Sequence, residues 1–375
     1  MRARISPEDL PPVPPPVRAT LAETLPPDNL DSEHLDILNL AISNLLRTKL
    51  AEFTLAQIVD GLPTCSSFAQ FHYGAPDGHP AIEHENLCPG ALEKVREFRL
   101  AFHVTSLRFS PALLQGYQDA QPNTRAFCLR LVEMLAVAFH QIAAFLYGLD
   151  EENEHRKAYE VWAVEQHRLK AAGDERYRFY EEAEPPTAFY HRSYRDHEQY
   201  PRAVADLVGY WAESKIFGGV VLFDRGESET ECKEIWIDPA NLPGPRTMYP
   251  PTADQLDKLI QFLLSSSCAT VECPLPIMAS KLNRPRYYRY HATKYFHIFR
   301  DKYDSRLPEW FVRPGGCVIY PIDFPEVEDE NIIMLQVMWA DGTPPDEDVI
   351  AAARERLKVI TPSSPCWPHD DKRYI

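Results

Sequence analysis

Asp206, Tyr210 and Glu213 stand at i, i+4 and i+7 in VADLVGYWAE, a spacing that puts all three on one stripe of a helix. A phenol beside two carboxylates at the edge of a core can do acid–base work or hold a cation. A solvated helix flank with a half-buried tyrosine has the same spacing. Ser106, in TSLRFSP, follows the apolar run FRLAFHV (98 to 104), which reads as a strand giving way to a turn and helix. That is where α/β folds present nucleophiles and ligands, although an ordinary strand-end hydroxyl would look alike. Ser66 and Ser67 are rival nucleophiles, but what precedes them is a capped helix and Pro63 rather than a strand.

Residues 281 to 306 (KLNRPRYYRYHATKYFHIFRDKYDSR) hold eight Lys or Arg against two Asp, with Tyr and Phe interleaved. Cations contact phosphates and aromatic faces stack on bases, so Arg284, Arg286, Arg289 and Lys294 are candidate RNA contacts. A basic surface segment balancing acidic neighbours is the competing reading. His84 with Cys88, and Cys268 with Cys273, lack the paired short spacings that converge on zinc, so no metal site is expected. There is no GxxxxGK[ST] loop, no GxSxG elbow and no dinucleotide fingerprint, which disfavours P-loop NTPases, the commonest α/β-hydrolases and dinucleotide binding.

The elements that would position these groups follow from periodicity. Prolines recur through residues 6 to 27 (PPVPPP, then LPP), so residues 1 to 30 read as a disordered leader and 31 to 375 as one α/β catalytic domain with a helical N-terminal part. Helices are expected from Asp31, across Thr54 to Asp60 behind a Thr54–Gln57 capping box, from Pro111, and from about Arg125 to Tyr147. Val204, Leu207, Val208 and Trp211 then mark a helix laid on a core, ended by Gly218 and Gly219. Strands are read at GGVVLFD (218 to 224), KEIWID (233 to 238), CVIYPI (317 to 322) and IIMLQVMW (332 to 339). Further helices follow Thr252, behind a second capping box with Gln255, and lie near 346 to 359. This alternation predicts an α/β fold with a mostly parallel sheet and flanking helices.

The bulk numbers agree with a core-forming chain of 375 residues, 45% apolar. The densest apolar run, Met134 to Tyr147, is interrupted by His140 and Gln141 and reads as a buried helix rather than a membrane span. No h-region follows the early basic residues, and the eight scattered cysteines read as reduced thiols, so a cytoplasmic protein is expected. A net charge of −16 argues against DNA and other broad nucleic-acid binding, and would suit a guanidinium-bearing substrate.

The run YWAESKIFGGVVLFDRGESETECKEIWID (210 to 238) resembles the catalytic segment of tRNA-dependent cyclodipeptide synthases, in which a helix carrying Tyr and Glu precedes an apolar stretch and a strand. GYWAE…GGVVLFDRG is also similar to fungal proteins associated with arginine-containing cyclodipeptide synthases of natural-product pathways. The resemblance covers about a tenth of the chain, plus Ser106 by position. It implies a Rossmann-like fold similar to the class I aminoacyl-tRNA synthetase catalytic domain, and an aminoacyltransferase that makes a diketopiperazine from Arg-tRNA and a second charged tRNA without cofactor. It makes Ser106 the nucleophile, Tyr210 a proton shuttle and Glu213 the holder of the substrate ammonium; Asp206 is a candidate substrate contact. A non-catalytic interaction protein and a cofactor-free cyclase are the alternatives.

Overall fold

The computed structural model describes residues 23–70, 78–150, 152–174, 184–239, 247–266, 271–280, 282–287, 289–301, 328–338 and 345–358. The chain begins with helices α1 (Ser32–Leu46), α2 (Lys49–Asp60), α3 (Cys65–Ala69), α4 (Ala91–Ala101), α5 (Pro111–Gln118), α6 (Arg125–Gly148), α7 (Glu154–Ala171) and α8 (Val204–Phe217). Strands β1 (Val220–Asp224) and β2 (Ile235–Asp238) follow, then α9 (Ala253–Leu263), α10 (Arg289–Phe296), β3 (Ile298–Phe299), α11 (Glu328–Met338) and α12 (Glu347–Leu357).

The mostly parallel, Rossmann-like sheet is overturned: the described fold is mainly helical, with one three-stranded antiparallel sheet in the order β2-β1-β3. Parallel neighbours need a crossover of about a dozen residues or more. The loop 225–234 instead returns β2 directly onto β1, pairing Val220 with Asp238 and Phe223 with Ile235. Two expected strands are helical. FRLAFHV is mostly the end of α4, whose partly buried Leu92, fully packed Val95 and partly buried Phe98 recur at helical spacing upstream of where the apolar run becomes obvious. IIMLQVMW falls largely in α11, which packs on α12, with Arg356 Nη2 donating to Asp329 Oδ1 at 2.6 Å. CVIYPI lies outside the described residues.

Side-chain caps explain most helix starts. Asp31, Thr48, Ser110, Thr124 and Thr252 each accept from a backbone N–H two or three residues into the first turn. The Thr252–Gln255 capping box is present as expected. The Thr54–Gln57 box is not: α2 starts at Lys49, and Thr54, inside the helix, donates its hydroxyl proton to Leu50 O at 2.8 Å. Part of the expected leader is docked, since Leu25 and Phe109 exchange backbone hydrogen bonds of 2.8 and 2.9 Å and Leu30 is buried.

Helix α6 is the centre of the core, with α1, α2, α5 and α8 against it. It has the length and apolarity of a membrane span, yet 78% of that apolar window is buried inside the protein, as a central core helix requires. The sheet has two covered faces. Val221, Phe223, Ile235 and Ile237 enter the main core with Trp211, Ile216 and Phe217 of α8. Val220, Leu222, Trp236 and Ile298 enter a second, aromatic cluster with Tyr190, Tyr194, Tyr200, Tyr210 and Met248. Each such fully buried aliphatic or aromatic side chain contributes about 1.5–3 kcal/mol. Gly218 closes α8 at φ +98, where a Cβ would lie 2.2 Å from Ile277 O, so glycine is needed there for both reasons.

Candidate active site

The stripe on α8 is not a solvated flank. Asp206, Tyr210 and Glu213 are 6%, 1% and 0% exposed, and all three turn towards α6 and the aromatic cluster. Two residues from elsewhere complete the arrangement. His140, from the middle of α6, donates from Nε2 to Asp206 Oδ1 at 3.0 Å and from Nδ1 to Glu213 Oε1 at 2.8 Å. Arg300, just after β3, donates from Nη1 to the same Glu213 oxygen at 2.7 Å. The remaining carboxylate oxygens are also met, Glu213 Oε2 by Val221 N at 3.3 Å and Asp206 Oδ2 by Arg202 N at 2.7 Å.

Both imidazole nitrogens face carboxylate oxygens, which only accept, so His140 is an imidazolium. Arg300 Nη2 also approaches His140 Nδ1, at 3.3 Å. Both are donors, so this is two cations converging on one acceptor rather than a hydrogen bond. The charges balance, two positive against two negative. Burial works against protonation of His140, but its hydrogen bonds to Asp206 and Glu213 outweigh that and raise the imidazole above its ordinary value. Burial likewise works against ionisation of Asp206, and the His140 hydrogen bond and charge overcome it and hold the carboxyl below its ordinary value. Removing one member of such a set leaves a buried charge uncompensated, at a cost of about 3–5 kcal/mol.

Gly209 makes the approach possible. A Cβ at that position would stand 2.5 Å from His140 Cε1 and 2.6 Å from Cγ and Cδ2, so the imidazole lies directly on the backbone of α8. A second ionic chain holds Arg300 in place: Arg225 Nη2 donates to Arg300 O at 2.8 Å, and Arg225 Nη1 to Glu133 Oε1 of α6 at 2.7 Å. Around the network, the Tyr210 ring meets His140 edge-on at 4.6 Å and stacks on Tyr194 at 4.1 Å, with the Arg300 guanidinium 4.9 Å from its centroid.

The other expected site residues are placed differently. Ser106 lies not at a strand end but in a one-turn 3-10 helix, Val104–Ser106, exposed, with its hydroxyl donating to His103 O at 2.7 Å. No hydrogen bond among the described residues joins it to the α8 network. Ser66 shares a hydroxyl contact of 3.3 Å with Thr64, and Ser67 is buried. In the basic strip, Arg286 is fully buried, donating to Asn283 O and Ser280 O at 3.1 and 2.6 Å. Arg289 donates to Ser193 O at 2.8 Å and lies 3.8 Å over the Tyr194 ring. Arg284 is partly buried and Lys294 is exposed. The strip is thus folded inward at Arg286, Arg289 and Arg300.

His140, Arg300 and Gly209 are the residues that sequence reasoning missed. His140 had a signal, as one of two polar residues breaking the most apolar helix; Arg300 was hidden in a strip that looked like surface. Compared with known proteins, the chain matches no family model, no curated protein and no solved structure.

Proposed function

We propose that the protein is an enzyme that works by proton transfer at the Tyr210 phenol, and that its reaction is the aminoacyl-tRNA-dependent synthesis of an arginine-containing cyclic dipeptide. The first half rests on one observation: Asp206, Tyr210 and Glu213 converge with His140 and Arg300 in a buried, charge-balanced network with the phenol ring against the imidazolium. Buried ions are expensive to retain, and perturbed titrating groups concentrate at functional sites. On the aromatic side, the Trp236 indole N–H and the Thr247 hydroxyl are buried without a hydrogen-bond partner among the described residues, as donors awaiting a substrate acceptor would be.

The second half rests on the likeness of residues 210 to 238 to the synthase segment and on the net charge of −16, which suits an arginyl substrate. In three features the chain departs from that family. The sheet on which that family is built is not the sheet of this protein; Tyr210 and Glu213 are three apart where the bacterial pattern has four; and Trp236 stands where that pattern has a second tyrosine. Glu213, already met by His140, Arg300 and Val221 N, would have to exchange a partner to hold a substrate ammonium.

A second reading, a non-catalytic interaction protein in which the network is a clamp joining α6, α8 and Arg300, is favoured by the mutual pairing of all four charges and by the distinct setting of Ser106. Purified protein, incubated with tRNA charged with labelled arginine and a mixture of other charged tRNAs, separates the two. The enzyme reading expects a labelled cyclic dipeptide without added ATP, lost in Tyr210→Phe. The clamp reading expects only spontaneous ester hydrolysis with either protein.

A further inference from the structure

Away from α8, the last residue of α2, the loop before α4 and the first turn of α7 bring four metal-ligating side chains together. One ligand atom from each of Asp60, His84 and His155 lies within 4.8 Å of the others, and Cys88 Sγ stands 3.9 Å from His155 Nε2. The sequence shows His84 and Cys88 as an isolated pair; the fold supplies Asp60 and His155 from 24 and 67 residues away in the chain.

The tautomers are set by backbone carbonyls, which can only accept. His84 Nδ1 lies 3.1 Å from Pro63 O, and His155 Nδ1 lies 3.0 Å from Asp60 O, so each Nδ1 carries the proton. Each Nε2 is then the position left for an ion: His84 Nε2, which donates to Asp60 Oδ2 at 3.0 Å, would exchange that proton for the ion, and His155 Nε2 faces the Cys88 thiol. Imidazoles locked through Nδ1 on carbonyls, with Nε2 turned towards a carboxylate and a thiol, form the outer-shell pattern of a metal site. The Asp60 carboxylate is itself oriented by Cys88 N, which donates to Oδ2 at 3.0 Å.

A tetrahedral ion with ligands about 2.0–2.3 Å away keeps them about 3.3–3.8 Å apart; the His84–Asp60 and Cys88–His155 pairs stand at 3.0 and 3.9 Å, and the Asp60, His84 and His155 ligand atoms within 4.8 Å of one another, so these side chains would close by up to about 1 Å on the ion. Asp60 ends α2, so the negative end of the helix dipole also favours a cation. Gly61 lets the start of α7 close on it, because a Cβ there would meet Asn153 Oδ1 at 2.0 Å.

We propose that Asp60, His84, Cys88 and His155 bind one Zn2+ ion. With Cys88 Sγ drawn from beside His155 into the Asp60, His84 and His155 group, four protein ligands would close the coordination sphere, so the ion would be structural. It ties α2 and the 79–90 loop to α7, whose Tyr159, Trp162 and Ala163 belong to a small apolar cluster separate from the main core.

The test uses untagged full-length protein purified without chelator. Elemental analysis should find about one zinc per chain, and Co2+ replacing it should give the absorption of a four-coordinate site with a thiolate charge-transfer band. Cys88→Ser, at an exposed position, should fold, lose that band and weaken Zn2+ binding at least about tenfold; Cys128→Ser should keep both. Folded protein that retains no zinc and binds no Co2+ would overturn the proposal, leaving a hydrogen-bonded cluster only. So would a Cys88→Ser protein with the wild-type cobalt spectrum.

Discussion

Gly209→Ala sets two effects of opposite sign against each other inside α8. On helix propensity alone, alanine in place of glycine stabilises a helix interior by about 1 kcal/mol. The geometry predicts the reverse. The new Cβ would stand 2.5–2.6 Å from three atoms of the His140 ring, about 1 Å inside ordinary contact, and the neighbour is a ring held at both nitrogens rather than the end of a flexible chain. Moving the ring breaks two hydrogen bonds to charged groups, each contributing about 1.5–3 kcal/mol. After the propensity gain, a net loss of about 2–5 kcal/mol is expected, read as a lower urea midpoint with an unchanged m-value. In a His140→Ala background the same substitution should no longer destabilise, and the difference between the two backgrounds measures the coupling. If Gly209→Ala is neutral or stabilising in the wild-type background, the imidazole does not rest on α8 as described.

Further predictions concern pH and burial. The folded pKa of His140 is raised above 6.5, so its contribution is complete below that pH and is lost as pH rises through the raised value. That of Asp206 is lowered below 3.8, so its contribution is present above that pH and is lost as pH falls through the lowered value. The network is therefore most stabilising between these limits, and the stability lost from pH 6 to 8 should be smaller in His140→Phe; equal losses would remove His140 from the account. Lys215, buried on α8, has its ammonium pushed down from 10.5 to about 8 by burial. Because the folded state disfavours the charged form, stability rises with pH between those values, and Lys215→Met should be more stable at pH 7 by roughly 3 kcal/mol, an advantage that vanishes near pH 10.5. A less stable Lys215→Met protein at pH 7 would contradict this.

The α8 stripe was legible because i, i+4, i+7 spacing fixes which side chains share a face before any tertiary contact is known. What lies opposite that face was not, since His140 and Arg300 come from 66 residues before Asp206 and 87 after Glu213. Buried strands β1 and β2 were found from short apolar runs beside glycines and charges. The same kind of run misled at 98 to 104 and 332 to 339, where the decisive signals were the helical spacing of Leu92, Val95 and Phe98 and the charge pairing of Asp329 with Arg356. The parallel sheet was read from the alternation of helices and apolar runs, and with those two runs helical, the hairpin and a two-residue third strand are what the described residues hold. Arg286 and Arg289 read as surface cations because composition cannot tell a guanidinium facing solvent from one satisfied by backbone carbonyls.

The measurement that bears most directly on the central claim is mass spectrometry of extracts from cells expressing this protein alone and fed labelled arginine, beside cells expressing Tyr210→Phe. The account predicts a new cyclic dipeptide carrying the label in the first and its loss in the second, with both proteins soluble and folded. No labelled product from soluble wild-type protein, or an equal yield from Tyr210→Phe, would contradict it.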